Sequence, residues 1–128
     1  MRFLGFDEVL AIHEEILDRD GGTPGYLNLG SVDSALYRVR WGPFFGQPRL
    51  VDRAALLMRG ICQDHPFVDG NKRTALACSG TFLALNDHHL AHTSNEAIQL
   101  MLDVAQDRLD LDAMAAWLAL HQRINQEE

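Results

Sequence analysis

A polar loop that cannot be helical runs straight into a segment that can be little else. The loop is His65-Pro66-Phe67-Val68-Asp69-Gly70-Asn71-Lys72-Arg73-Thr74, and the segment is Ala75-Leu76-Ala77-Cys78-Ser79-Gly80-Thr81-Phe82-Leu83-Ala84-Leu85. Pro66 lacks a backbone donor and pushes the residue before it out of the helical region, and Gly70-Asn71 is a turn signal. In the segment after it, Leu76 and Leu83 lie on one helical stripe, and Ala75, Cys78, Phe82 and Leu85 on another. A helix apolar on nearly every side is a buried one. The chain is thereby constrained to a bundle packed around a central helix over residues 72–86, whose N-terminus is fed by a polar loop.

That junction breaks a local rule. A helix N-terminus carries partial positive charge and free N–H groups, so it favours Asp and Glu. Lys72 and Arg73 stand there instead. An anion resolves the repulsion, and phosphate is the natural one, held by helix N–H groups and the two cations. Gly70 lets the backbone approach its oxygens. Asp69 is placed to hold Mg²⁺, which takes one or two carboxylates together with substrate phosphates. His65 can accept a proton near neutral pH. A base, a metal carboxylate and a phosphate cradle together point to phosphoryl or nucleotidyl transfer. Singly, each residue has a plainer use: His65 as a cap, Lys72 and Arg73 as solvated charges. The set at this spacing favours the functional reading.

The loop resembles the signature of the Fic/Doc family, H-P-F-x-[DE]-G-N-[GK]-R, with every position filled. Gly21-Gly22-Thr23-Pro24-Gly25, Ser34-Ala35-Leu36, Ala54-Ala55 and Phe82-Leu83-Ala84-Leu85-Asn86 also resemble stretches of the Doc branch. The resemblance implies a single all-α domain over residues 1–128, a Fic-type helical bundle. It implies His65 as general base, Asp69 as the Mg²⁺ ligand, and Gly70, Asn71, Lys72 and Arg73 as holders of the phosphates of ATP. Phe67 anchors the loop in the core. Two departures bear on the reaction. Fic nucleotidyl transferases usually carry Gly where this chain has Lys72, and a second Arg where it has Leu76. A lysine fills part of the phosphate pocket, and loss of the arginine removes a fork for the terminal phosphates. The Doc-like lysine implies a reversed nucleotide with its γ-phosphate toward the acceptor. The implied activity is therefore a Ser/Thr protein kinase, with elongation factor Tu as substrate and arrest of translation as the outcome. The alternatives are AMPylation by the same fold, or a non-catalytic module that binds through its groove.

The remaining sequence bounds these readings. The 128 residues make one domain of ordinary composition, 47% hydrophobic and 8% aromatic. A net charge of −7 argues against direct nucleic-acid binding, which needs a basic face. Cys62 and Cys78 lie on apolar helical segments and read as buried thiols of a reducing cytoplasm. No apolar run reaches spanning length and no leader-like N-terminus is seen, so a cytoplasmic, membrane-free protein is expected.

Further helices are predicted over Phe6–Asp18 with Asp7 as N-cap, and over Ser31–Arg40 with Ser31 as cap. Others span Val51–Gln63, the stretch from the Thr93–Glu96 capping box to Ala105, and a last one starting at Asp110 or Asp112. His13 on the first helix reads as a packed or surface histidine rather than a catalytic one. Residues 21–30 break the helical pattern hard and are either a connecting loop or a short β-flap. The family resemblance makes this flap a docking edge for the target, through Gly22, Thr23, Gly25 and Tyr26. The aromatic loop Trp41–Pro48 covers the core or forms a partner patch. Asp87, His88, His89 and His92 lack the H-E-x-x-H pattern and read as a solvated loop. The tail from Asn125 is expected to fray. No glutamate is followed by Gly or Asn, so the inhibitory [ST]-x-x-x-E-[GN] helix of many Fic proteins is absent. The resemblance then implies restraint by a Phd-type antitoxin whose C-terminal helix enters a groove beside the site.

Overall fold

The computed structural model describes residues 1–126. The chain order is α1 (Phe6–Asp20), α2 (Gly30–Trp41), α3 (Leu50–Asp64), α4 (Asn71–Leu85), β1 (His88–Leu90), α5 (Ser94–Ala105), α6 (Leu111–His121) and β2 (Gln122–Ile124). The expected helical bundle is present. Helix α4 packs against α3 most extensively, with α1 and α5 also on it, while α2 and α6 flank α3. Phe82, Leu83, Ala75 and Cys78 of α4 are fully buried, as are Leu57, Met58, Ile61 and Cys62 of α3. The side of α4 through Thr74, Ala75, Cys78, Ser79, Phe82 and Leu83 is buried, while Ala77, Gly80, Thr81 and Ala84 on the other side are half-buried or exposed. Small residues where α2 meets α3 let the backbones close in: a Cβ on Gly60 would lie 2.8 Å from that of Ala35.

Several boundaries differ from expectation for local reasons. Helix α1 begins from Gly5 rather than Asp7; the Glu8 carboxylate accepts from the Gly5 N–H at 3.0 Å, and Asp7 lies inside the first turn. Ser31 does not cap α2. Its hydroxyl donates to the Asn28 carbonyl at 2.7 Å, one turn upstream of the expected start. Thr93 caps α5 as predicted, its Oγ1 accepting from Glu96 N–H. Asp110 caps α6 by accepting from Ala113 N–H at 2.8 Å. The loop after α2 divides: Phe44 packs on the core, while Trp41 and Phe45 are exposed.

The helical bundle also carries a small two-stranded sheet away from the expected flap. Strands β1 and β2 pair antiparallel, His88 opposite Ile124 and Leu90 opposite Gln122. The histidines read as a solvated loop hold this pairing: His88 Nδ1 hydrogen-bonds Gln122 Oε1, and His89 Nδ1 donates to Asn125 Oδ1 at 2.7 Å. Asn125, expected to fray, also donates its N–H to the Asp87 carbonyl at 2.8 Å. Both segments are too short and polar for period-two patterning to reveal. Residues 127–128 of the predicted tail lie outside the described residues. Among the described residues no helix is long and apolar enough to cross a membrane.

Candidate active site

The loop between α3 and α4 is built from two anchors. Phe67 is wholly buried, its ring stacked on that of His13 with centroids 3.7 Å apart and planes at 8°. Asn71 grips the same residue from the other side: its Oδ1 accepts from Phe67 N–H at 3.1 Å and its Nδ2 donates to Phe67 O at 2.9 Å. The Asn71 side chain is therefore committed to the loop, and what it presents outward is its backbone N–H. Gly70 precedes the helix at φ +82°, a left-handed turn that L side chains rarely adopt. Asn71, Lys72 and Arg73 donate none of their backbone N–H groups to a protein acceptor among the described residues. Free N–H groups at the tip of a helix are of the kind that can accept an anion.

The charges around that tip are unevenly disposed. Asp69 Oδ2 accepts from Thr23 N–H at 3.0 Å, and Oδ1 from Gly70 N–H at 2.8 Å. These two amides, with lesser help from Arg73 and His13, hold the Asp69 carboxyl below the usual carboxylate range. Each oxygen keeps a further lone pair. Arg73 Nη1 donates to the Gly21 carbonyl at 3.0 Å, and Nη2 lies 3.9 Å from Asp69 Oδ1. Lys72 and Arg73 both border an apolar cleft of about 200 Å³ whose other walls include Leu76, Ala97, Ile98 and Met101. Of the two cations, Arg73 is tied to the 21–23 segment and Asp69, while Lys72 makes no ion pair among the described residues.

His65 ends α3 in the left-handed region, at φ 47° and ψ 60°, with an exposed side chain. Such a conformation costs a non-glycine residue roughly 1–2 kcal/mol. The next residue is held firmly: the Pro66 carbonyl accepts from Leu27 N–H at 2.9 Å and Asn28 N–H at 3.1 Å. No protein hydrogen bond engages the imidazole among the described residues, so both ring nitrogens are available.

The expected flap is an irregular segment joined to the loop by a single β-bridge. Tyr26 bridges Phe67 antiparallel, with Val68 N–H donating to Gly25 O at 3.0 Å. In this register Tyr26 turns its own N–H and C=O to the free edge. Thr23 is no free docking donor, since its N–H is taken by Asp69. Gly22 belongs to the site itself: a Cβ there would lie 2.9 Å from Asp69 Oδ2 and 3.1 Å from Arg73 Nη2. The loop residues 65–73 and the segment 21–28 are thus brought together although two helices, α2 and α3, separate them in the chain.

The Fic/DOC family model matches residues 3–83, more than half of the chain and all of this site. The chain belongs to the Fic/DOC family. It is 40% identical over 104 residues to a protein of Mycolicibacterium smegmatis named Toxin Doc, covering 77% of this chain and 79% of that one. It is 28% identical over 116 residues to the Protein kinase doc of Escherichia phage P1, covering 90% and 91% respectively. As a Fic/DOC member it carries the signature on the α3–α4 connection, with the Doc-like lysine at position 72. One participant escaped sequence reasoning. His13 is packed, as expected, but packed under the loop. Its only trace in the sequence is a histidine on the otherwise apolar side of α1.

Proposed function

We propose that this chain is a Doc-type toxin that transfers the γ-phosphoryl group of ATP to a Ser or Thr hydroxyl of a translation factor. Elongation factor Tu is the expected substrate. The observation that carries the reading is the α4 tip: free N–H groups at 71–73, flanked by Lys72 and Arg73, beside an ionised Asp69. A helix N-terminus that presents cations instead of carboxylates is suited to phosphate. The kinase-named relative from phage P1 supports phosphoryl over nucleotidyl transfer.

The donor set fits Mg²⁺. Among the described residues no three acidic, His or Cys side chains gather into a cage. Asp69 would hold the cation together with phosphate oxygens, the pattern Mg²⁺ prefers. When bound, it neutralises charge on the transferring phosphates. Residues of this chain do the rest. The N–H groups at the α4 tip orient the phosphates. Arg73 exchanges the Gly21 carbonyl for a phosphate oxygen. His65 takes the proton from the target hydroxyl, worth roughly 10²–10⁴ in rate. The free edge at Tyr26 aligns the target backbone by strand addition.

Restraint comes from a Phd-type antitoxin, making the pair a type II toxin–antitoxin system. The apolar cleft at Lys72, with Ile98 59% exposed on its wall, is suited to an amphipathic helix. The test is incubation of the purified protein with γ-labelled ATP, Mg²⁺ and bacterial lysate. One labelled translation-factor band, lost on adding antitoxin, is expected. Mass spectrometry of that band decides the chemistry: an adenylyl adduct in place of a phosphoryl one sinks the kinase assignment.

A further inference from the structure

We propose that His13 is a positioning residue for the loop: it fixes the peptide between Asp69 and Gly70, and through it the Asp69 carboxylate. The proposal rests on the reading of Asp69 as a cation ligand. His13 lies mid-way along α1, 3% exposed. Its Nε2 meets the Asp69 carbonyl oxygen at 2.8 Å. A carbonyl can only accept, so Nε2 carries the proton and donates it. The ring cannot tilt away, because it lies flat on Phe67.

The consequence passes through a rigid unit. In a trans peptide the C=O and the following N–H point in opposite directions. Drawing the Asp69 carbonyl down onto His13 therefore turns the Gly70 N–H up, to where it donates to Asp69 Oδ1 at 2.8 Å. Backbone preference alone does not choose this orientation. Glycine accepts φ of either sign, so the 69–70 peptide can sit either way up. His13 supplies the choice. With Thr23 N–H on Oδ2, the carboxylate is then held at both oxygens and presents its remaining lone pairs in one direction. Groups that orient a metal ligand from outside its coordination sphere typically tune cation affinity or activity 10–100-fold.

Two substitutions separate orientation from packing. His13→Phe keeps a flat ring on Phe67 without a donor, and His13→Gln restores an N–H donor without the ring. Four readouts apply: thermal melting, the ¹H–¹⁵N signals of Gly70 and Thr23, Mn²⁺ affinity in the presence of ATP, and phosphoryl transfer. For folded His13→Phe, both amide signals should move, Mn²⁺ should bind about tenfold more weakly, and kcat should fall about tenfold with KM for the protein target unchanged. His13→Gln should recover most of each. Native amide positions and native Mn²⁺ affinity in His13→Phe would overturn the proposal, as would a His13→Gln variant no better than His13→Phe. If His13→Phe does not fold, His13→Asn, too short to reach the carbonyl, takes its place. If the native protein transfers no phosphoryl group, the kinase reading fails, while the amide signals and Mn²⁺ affinity still decide the role of His13.

Discussion

His65 and Asn71 sit six residues apart and do opposite things. His65 is exposed and unengaged by other side chains, so its loss should cost the fold nothing. His65→Ala is expected to melt within a degree or two of the native protein while lowering phosphoryl transfer roughly 10²–10⁴-fold. Equal labelling of target by mutant and native protein would remove it as the base. Asn71 faces inward and satisfies both polar groups of the buried Phe67 backbone. Asn71→Ala leaves those groups without partners, at about 1–3 kcal/mol each where water cannot reach them. Urea unfolding should show a clearly lower midpoint. A midpoint unchanged from native would place that backbone in reach of solvent. The signature's asparagine is thus explained by loop architecture as much as by phosphate.

Among the elements, α5 and α6 are joined by a polar latch. Glu96 closes the Thr93 capping box and also accepts from His121 Nε2 at 2.7 Å, while His121 Nδ1 donates to Trp117 O and its ring stacks on Trp117. The Thr93 amide first, then His121, bring the Glu96 carboxyl down to about 2. A carboxyl lowered on folding stabilises above its unfolded value and loses that contribution as pH falls through the folded one. Thermal stability should therefore drop between roughly pH 4.5 and pH 2, and Glu96→Gln should flatten part of that drop. An acid profile identical for the two proteins would detach Glu96 from it. Separately, Thr93→Ala should cost about 0.5–2 kcal/mol at neutral pH, read by chemical denaturation. Helix α5 carries one wall of the apolar cleft, so the latch also sets the geometry of the face proposed for the antitoxin.

At the scale of the whole molecule, α4 is both core and scaffold: Ala75, Cys78, Phe82 and Leu83 along its length are buried in the bundle, and its first turn offers free N–H groups. Phe82, fully buried and stacked on Phe3 at 6.0 Å, lies about three turns along α4 from its tip. Phe82→Ala should destabilise by about 3–5 kcal/mol while folded protein keeps its transfer rate. A rate that falls with stability intact would mean the core end of α4 is coupled to its tip. The six helices were readable because apolar residues recur at helical spacing, and the loop was readable because Pro66, Gly70 and two misplaced cations contradict their local setting. Strand and cap assignments at 88–90, 122–124, Asp7 and Ser31 were not, since each depends on a partner that periodicity does not encode. What the sequence determined by itself is the list of reactive groups and the helix they stand on, because both follow from side-chain chemistry and local spacing. Only the tertiary structure decided which of them face each other: that Asn71 turns inward, that Arg73 reaches the Gly21 carbonyl, that Thr23 binds Asp69, and that His13 lies beneath the loop. Those contacts span up to 56 residues of chain, and distance in space between such groups is set by packing rather than by any local preference.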